Sequence, residues 1–334
     1  MTGELSSVKV SVCIQTYDHA PYIARALDSV LMQEADFPYE IVVGEDESSD
    51  GTRAICIDYA RRHPDRIRLF LRSRKDVVHI DGRPTGRYNF IQNLNAARGQ
   101  YIALLDGDDY WTDLHKLQRQ ADLLDTHPNY ALCFHAAIKV DDQGRQIQII
   151  RPPGRKSVYT LRELLRGNFI PSLAVMFRNG PEHHPLPDWF YQTRYADWPL
   201  HILNAARGDI GYIDEVMGVY QQHSGGITRK IYQDASAPAL VRAETLILLH
   251  EYLSDRIDER FFDEAISAAY VQAGRQFADQ NDLTRAREAW QQARHWHKRN
   301  LVALGLLLAS EPGQAFFQRL REIKNTARKK RHLS

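Results

Sequence analysis

Residues 97–111, ARGQYIALLDGDDYW, decide the fold of this chain and indicate where its chemistry lies. Residues 101–105 form a short apolar run, which is typical of a strand buried on both faces of a parallel sheet. Three carboxylates follow this run, those of Asp106, Asp108 and Asp109. Ligands of parallel α/β sheets bind outside the carboxyl ends of the strands, and oxygen ligands suit Mg²⁺ or Mn²⁺ rather than Zn²⁺. The segment therefore predicts a divalent-cation site, and the alternative is a polar turn in which Asp108 or Asp109 caps a following helix.

The composition indicates a globular protein of 334 residues, enough for one large domain and a smaller one. The formal net charge of +1 gives no overall attraction to nucleic acid, so no nucleic-acid partner is expected. The first residues, MTGELSSVKV, lack the basic start and apolar core of a secretory signal. The three cysteines are scattered and suit small core residues in a reducing compartment. We therefore expect a cytoplasmic protein.

Hydrophobic periodicity predicts alternating strands and helices over the first two thirds of the chain. Residues 73–86 are predicted to be a polar loop, and long helices dominate from about residue 231. The β-α-β-α-β-α-β order predicts the α/β class, with a mostly parallel sheet covered by helices on both faces. We expect domains at 1–230 and 231–334, the second all-α and including a helical hairpin at 265–299. Strands are predicted at residues 8–14, 39–43, 67–71, 101–105, 130–140, 173–177 and 210–219.

Four segments resemble the sequence blocks of the family-2 glycosyltransferases, in the same order. Departures from the family pattern are Gln15 for Pro, Asp18 for Asn, Glu45 for Asp and Glu47 for Gly. The resemblance covers residues 8–226 and implies a GT-A fold (a Rossmann-like sheet), a nucleotide-sugar donor and inversion at the anomeric carbon. The four segments are VSVCIQTYD at 10–18, EIVVGEDESSDGT at 40–52, ARGQYIALLDGDDYW at 97–111 and YADWPLHILNAARGDIGYIDEVMGVYQQHSGG at 195–226.

The resemblance implies a nucleotide-sugar pocket at the ends of the first strands. Asp46 would contact the nucleotide base, where a carboxylate accepts an N–H from a pyrimidine. Thr16, Tyr17 and Asp18 would line the same pocket, and Asp106 would lie near the ribose or the water shell of the metal. The alternatives are a helix cap for Asp46 and an ordinary polar turn for residues 16–18.

The resemblance also implies a metal ligand and a catalytic base. Asp108 would bind Mn²⁺ or Mg²⁺, which would bridge the donor diphosphate, and His223 would contact the diphosphate or the metal. Asp197 would be the general base that takes the proton of an acceptor hydroxyl. The alternatives are a helix N-cap for Asp197 and a structural or surface role for His223.

Two further features have competing interpretations. Four aromatic residues near Asp197 would form an acceptor subsite or simply pack the core. The basic tail, residues 319–334, would hold the protein on an anionic membrane near a lipid-linked acceptor, or form a solvated helix. His183 and His184 lack metal-site spacing and are interpreted as loop residues. The four aromatic residues are Trp189, Phe190, Tyr191 and Trp198.

These features predict a metal-dependent, inverting glycosyltransferase with a nucleoside diphosphate-sugar donor, for which UDP is favoured. Its acceptor would be a glycan or lipid-linked saccharide in cell-surface polysaccharide synthesis. One alternative is a sugar-nucleotide pyrophosphorylase, whose glycine-rich, Arg- and Lys-containing signature near the first strand is absent. The other is a catalytically silent scaffold protein that retains the fold and binds nucleotide sugar.

Overall fold

Short apolar runs at the predicted positions form the strands of one mixed sheet. The computed structural model describes residues 8–180, 185–223 and 238–309, and in this part of the chain ten strands share the sheet, while β4 and β5 form a separate hairpin. The strands are β1 (Val10–Thr16), β2 (Tyr39–Glu45), β3 (Ile67–Leu71), β4 (His79–Ile80), β5 (Arg83–Pro84), β6 (Tyr101–Asp106), β7 (Tyr110–Trp111), β8 (Tyr130–Val140), β9 (Gln146–Ile150), β10 (Val158–Tyr159), β11 (Met176–Arg178) and β12 (Asp209–Gln221).

The sheet contains two parallel blocks joined by one antiparallel strand. Its main order is β10-β12-β8-β11-β6-β1-β2-β3. Strands β6, β1, β2 and β3 run parallel, and β8 and β12 are also parallel to each other. The short β11 is antiparallel to both β6 and β8. The sheet is therefore more mixed than the strand and helix order alone predicts.

Helices of the first unit, Met1–Gly226, pack their apolar residues on this sheet. All seven residues of β2 are buried, as the nearly continuous apolar runs of this sheet predict. Of residues 173–177, predicted as one strand, only 176 and 177 belong to β11, and the preceding residues form a 3₁₀ turn at Ser172–Ala174. The predicted loop at 73–86 contains the β4–β5 hairpin. The helices are α1 (Ile23–Leu31), α2 (Thr52–Arg62), α3 (Arg87–Ala96), α4 (Lys116–Thr126), α5 (Leu161–Leu165) and α6 (Asp197–Ala205).

Two asparagines of α3 hold the carboxyl ends of the central strands. Asn93 Nδ2 donates to the Ile14 carbonyl at 2.9 Å, and Asn89 Nδ2 donates to the Gly44 carbonyl at 2.8 Å. The guanidinium of Arg72 donates to both amide oxygens, at 2.7 Å each. These bonds fix the edge of the sheet at which the predicted site lies.

The second unit, Ile227–Ser334, is helical where it is described. Asp258 and Asp282 cap α8 and α9, and these two helices form the predicted hairpin. Trp290 packs on Gly274, where an added Cβ would lie 2.2 Å from the indole nitrogen. Among the described residues, no helix is both long and apolar enough to span a membrane. The helices are α7 (Pro238–Leu253), α8 (Glu259–Asp279), α9 (Leu283–Trp296) and α10 (Leu301–Ala309).

The predictions for His183, His184 and the basic tail at 319–334 lie outside the described residues.

Candidate active site

The carboxyl ends of β1, β2 and β6 bring the predicted nucleotide-sugar residues together. Gln15 lies opposite Asp106 in the β1–β6 register, and Thr16 lies opposite Glu45 in the β1–β2 register. The backbone N–H of Asp46 donates to the Thr16 carbonyl at 3.1 Å. The Thr16 hydroxyl is buried without a hydrogen-bond partner among the described residues. The topology thus places Thr16, Asp46 and Asp106 at one edge of the sheet.

Asp46 offers one carboxylate oxygen to a ligand beside an exposed aromatic ring. Its Oδ2 accepts from Arg74 Nη1 at 2.7 Å, whereas its Oδ1 is buried and has no partner in the described part of the chain. Burial raises the pKa of Asp46, although Arg74 acts to lower it. The Arg74 guanidinium lies 4.2 Å from the centre of the Tyr17 ring, and Tyr17 is 41% exposed. The capping alternative is wrong for Asp46, because it is Asp50 that accepts the Thr52 N–H at the start of α2.

Two of the departures from the family pattern lie at left-handed backbone positions. Asp18 has a φ of 51° and Glu47 a φ of 60°, where the family usually has Asn and Gly, the two residues that tolerate this conformation best. Asp18 accepts the Ser49 N–H at 3.0 Å and its own N–H donates to the Ser48 hydroxyl at 2.9 Å. Asp18 therefore links the loops after β1 and β2, and its role toward a nucleotide stays a prediction.

The acidic turn after β6 is largely buried, and its carboxylates influence one another. Asp106 accepts from Gln15 Nε2, and burial together with the neighbouring Asp108 raises the pKa of Asp106 to about 7. Burial also raises the pKa of Asp109, whose Oδ1 accepts the Gln221 N–H of β12 at 2.9 Å. Neither Asp108 nor Asp109 caps a helix, because α4 begins only at Lys116. The turn is therefore held by the sheet on both sides.

Gly107 permits the close approach of this turn to β1. An added Cβ would lie 2.6 Å from the Thr16 hydroxyl oxygen and 3.0 Å from His19 Nδ1. A Cβ essentially never approaches another heavy atom to within 3.0 Å. Any larger residue would therefore force either this turn or the side chains of Thr16 and His19 to shift.

Asp108 lies between two histidines that converge from distant parts of the sequence. His223 Nε2 is 2.9 Å and His19 Nε2 is 3.9 Å from Asp108 Oδ2. The three ligand atoms lie within 4.8 Å of one another. Although burial acts to raise it, the hydrogen bond with His223 and the proximity of His19 hold the pKa of Asp108 below its usual value. A carboxylate and two imidazoles fit a divalent cation, and Asp108, His223 and His19 would hold it.

His19 is the residue of this group that sequence reasoning missed. It follows the predicted pocket residues 16–18 in the same turn, and burial lowers its pKa, which favours the neutral, ligating form. Its place three residues after a strand end was the available signal. A histidine in a polar turn carries little information until the fold places it beside Asp108.

The predicted base, Asp197, is the first residue of α6 and is half-buried. Ala196 is the N-cap residue, so the capping alternative is wrong. Asn168 Nδ2 donates to Asp197 Oδ2 at 2.8 Å. The Asp197 charge contributes to the raised pKa of Asp106, after burial and Asp108. The structure thus brings Asp197 into the electrostatic environment of the acidic turn.

Arg87 fixes the loop that leads into α6. Its Nη2 donates to the carbonyls of Thr193 and Tyr195 at 2.5 and 2.8 Å, and the side chain is buried. Burial lowers the pKa of Arg87 to about 10, although the Asp197 charge acts to raise it. Sequence reasoning missed this residue, because its partners lie more than a hundred positions away.

Two of the four aromatic residues near the base pack the core. Phe190 is fully buried and stacks with Phe90 at a ring-centre distance of 6.4 Å. Trp198 is buried, and its indole N–H donates to the Leu164 carbonyl at 3.1 Å. Trp189 and Tyr191 are half-buried. An acceptor subsite formed by these residues stays a prediction.

The chain has relatives among known proteins. An uncharacterized protein of Mycobacterium tuberculosis is 35% identical over 225 residues, which cover 67% of this chain and 62% of the relative. The chain therefore spans less than two thirds of the length of that relative.

Solved structures share the fold at low sequence identity. The structure of S. aureus TarS 1–349 in complex with UDP-GlcNAc superposes with a TM-score of 0.60 at 18% identity, covering 91% of this chain and 82% of TarS 1–349. The mannosyltransferase PcManGT from Pyrobaculum calidifontis, in complex with GDP-Man and Mn²⁺, gives a TM-score of 0.56 at 18% identity, with coverages of 91% and 80%. The fold is thus the GT-A fold, and its predicted class is confirmed.

The sequence profile of Glycosyl transferase family 2 matches residues 11–181, just over half of the chain. This range includes all of β1 except Val10, together with β2, β6 and the acidic turn. The chain therefore belongs to glycosyl transferase family 2.

Proposed function

We propose that the chain is a metal-dependent, inverting glycosyltransferase that uses a nucleoside diphosphate-sugar donor. The observation that carries this proposal is the convergence of Asp108, His223 and His19 at the turn that also contains Asp106, whose pKa the Asp197 charge helps to raise. Nothing in the reaction requires a covalent intermediate, because one carboxylate can serve a single displacement.

The donor base would bind between Tyr17 and Asp46. The unpartnered Oδ1 of Asp46 would accept an N–H, which uracil carries on N3 and guanine on N1. Cytosine has an acceptor at N3, so a CDP donor fits this site poorly. The exposed Tyr17 ring offers a stacking surface, backed by Arg74. We favour UDP because of the family resemblance, and the structure of TarS 1–349 contains UDP-GlcNAc.

The transfer step would be a single in-line displacement. A divalent cation held by Asp108 and His223 would neutralise the charge of the diphosphate leaving group. Asp197 would take the proton of the acceptor hydroxyl as its oxygen attacks the anomeric carbon. The bond to the diphosphate would break with its electron pair leaving on the nucleoside diphosphate. Asn168 and Arg87 would hold Asp197 in position for this proton transfer.

We further propose a saccharide or lipid-linked saccharide as the acceptor, in cell-surface polysaccharide synthesis on the cytoplasmic side of the membrane. The basic tail at 319–334 would provide peripheral contact with anionic lipid. Pelleting with anionic vesicles tests this contact, which deletion of the tail should abolish. Unchanged pelleting after the deletion would contradict it.

Calorimetric titration with UDP, GDP, dTDP and CDP, each with and without Mn²⁺, tests donor binding. We expect Mn²⁺-dependent binding of UDP by the wild type, loss of this binding in Asp108→Ala, and no change in Asp58→Ala. Asp58 is a matched control because it is an exposed aspartate on α2. A folded wild type that binds no nucleotide would contradict the proposal.

A second experiment tests the base. Asp197→Asn should abolish release of nucleoside diphosphate in the presence of acceptor while it leaves donor affinity unchanged, because the amide cannot take a proton. Asp188→Asn, at an exposed position of the same segment, is the control. Transfer by Asp197→Asn at the rate of the wild type would refute the assignment.

A further inference from the structure

We propose that His19 is a third protein ligand of the cation site, beside Asp108 and His223, and that its two imidazoles make the site select Mn²⁺ and other first-row transition ions over Mg²⁺. The inference rests on the proposed metal-dependent function and deepens it. The acidic turn alone would give the ion only oxygen ligands, whereas His19 and His223 add two imidazole nitrogens.

The distances between the three side chains allow one ion to bind them all. Metal–ligand bonds of Mg²⁺ and Zn²⁺ to oxygen or nitrogen are about 2.1 Å, so two atoms on one ion lie at most about 4.2 Å apart. The separations of Asp108 Oδ2 from His223 Nε2 and His19 Nε2 are 2.9 and 3.9 Å. All three ligand atoms lie within 4.8 Å of one another. Small side-chain rotations are sufficient to bring the three atoms onto one ion.

The backbone of the His19 turn is fixed by hydrogen bonds, whereas its ring forms none with the described residues. The His19 N–H donates to the Thr52 hydroxyl at 2.8 Å, and the Ala20 N–H donates to Asp50 Oδ2 at 2.9 Å. His19 Nδ1 is buried and has no hydrogen-bond partner in the described ranges, and Nε2 is beyond hydrogen-bond distance of Asp108. The His19 imidazole, positioned by its fixed backbone, is therefore available to coordinate an ion.

The second imidazole is also held toward Asp108. The His223 ring packs against Tyr22 at a centre distance of 4.9 Å, and the His19 and His223 rings are 6.0 Å apart and nearly perpendicular. Tyr22 belongs to the same turn as His19, so one short segment carries the His19 ring and packs against the ring of His223, which lies two residues after β12. The two rings therefore approach Asp108 from different directions.

The donor atoms determine which ion this site prefers. Mg²⁺ favours oxygen ligands and keeps several waters, whereas imidazole nitrogen favours transition ions. Three protein ligands also leave positions of a six-coordinate ion for diphosphate oxygens and water. A single carboxylate would bind the ion chiefly as its nucleotide complex, but three protein ligands predict measurable binding to the nucleotide-free protein.

Titration of nucleotide-free protein with Mn²⁺, followed by the electron paramagnetic resonance signal of the free ion, tests the inference. We expect one Mn²⁺ per chain in the wild type, with Mg²⁺ a weak competitor. His19→Gln should weaken Mn²⁺ binding by about tenfold or more and weaken Mg²⁺ binding much less, so that Mg²⁺ becomes a stronger competitor. His115→Gln, at an exposed histidine before α4, should behave as the wild type.

Other outcomes are equally decisive. Mn²⁺ affinity of His19→Gln within about twofold of the wild type, in protein with an unchanged circular dichroism spectrum, would overturn the inference, and so would the absence of binding to the nucleotide-free wild type. If His19→Gln does not fold, His19→Asp serves instead, because it keeps the ligand number and should shift selectivity toward Mg²⁺. Mn²⁺-dependent UDP binding by the wild type in calorimetry would leave the proposed function intact, whatever the result for His19→Gln. Failure of the wild type to bind UDP would refute that function independently.

Discussion

Asp46→Asn is the substitution that most directly tests how the nucleotide base is recognised. It keeps the shape of the side chain but replaces one carboxylate oxygen with an N–H₂ group. Asp46 is 1% exposed, and its Oδ2 accepts from Arg74. The new amide must either turn its nitrogen toward Arg74, which donates there already, or present that nitrogen to the base. In both orientations, the group that faces an N–H of uracil is a weaker acceptor than the carboxylate, or no acceptor at all.

The magnitude follows from the charge and burial of this acceptor. A hydrogen bond to a charged group contributes about 1.5 to 3 kcal/mol, which corresponds to a loss of about tenfold to a hundredfold in UDP affinity. CDP should not lose affinity, because cytosine N3 can accept from the new amide. The ratio of UDP to CDP affinity should therefore fall by at least the loss for UDP alone.

Calorimetric titration of both nucleotides in the presence of Mn²⁺ measures this ratio, with Asp58→Asn as the control. A UDP affinity within about twofold of the wild type would refute base recognition by Asp46. A parallel loss of UDP and CDP affinity would also refute it, since Asp46 would then serve only to hold Arg74.

Three further predictions follow from other parts of the site and core. Gly107→Ala should lower the free energy of unfolding by about 1 to 3 kcal/mol and weaken Mn²⁺ binding, because the new Cβ would meet the Thr16 hydroxyl. Denaturant titration measures the first effect and calorimetry the second, and stability equal to the wild type would contradict this prediction. Burial lowers the pKa of His135 to about 3, so the native state keeps it neutral while the unfolded chain gains a proton below about pH 6.5. Between about pH 7.5 and about pH 5, the stability of the wild type relative to His135→Leu should therefore fall by about 2 kcal/mol, and a constant difference would be the contrary result. Arg87→Lys should lower the transfer rate and leave donor affinity unchanged, because one ammonium cannot hold both carbonyls before Asp197 in the same geometry. Steady-state kinetics and nucleotide titration measure the two quantities, and a transfer rate equal to the wild type would argue against the prediction.

The acidic turn and the central strands could be predicted because their signals are local. An apolar run followed by carboxylates identified Asp106 and Asp108, and the strand order placed Asp46 at the same edge. His19 and Arg74 could not be found in this way, since each acquires its meaning only from a side chain far along the sequence.

The sheet itself shows the same division between local and distant information. β11 has only three residues, too few for a periodic pattern, and its antiparallel direction is set by pairing with β6 and β8. Asp18 and Glu47 differ from the usual Asn and Gly of the family, and the sequence alone does not show what this difference means. It can be interpreted only once the left-handed backbone at both positions is known.

The order in which the site is assembled from the chain has a consequence for biosynthesis. His19 follows the first strand, while His223 and the Gln221 N–H that binds Asp109 come at the end of the last strand, β12. A nascent chain can form β1, β2 and β6 early, but the three converging side chains meet only after the whole first unit has left the ribosome. A cation that binds all three would then favour the completed fold over every partly synthesised one, because it binds the native state alone. Uptake of such an ion would thus mark the point at which the unit has finished folding.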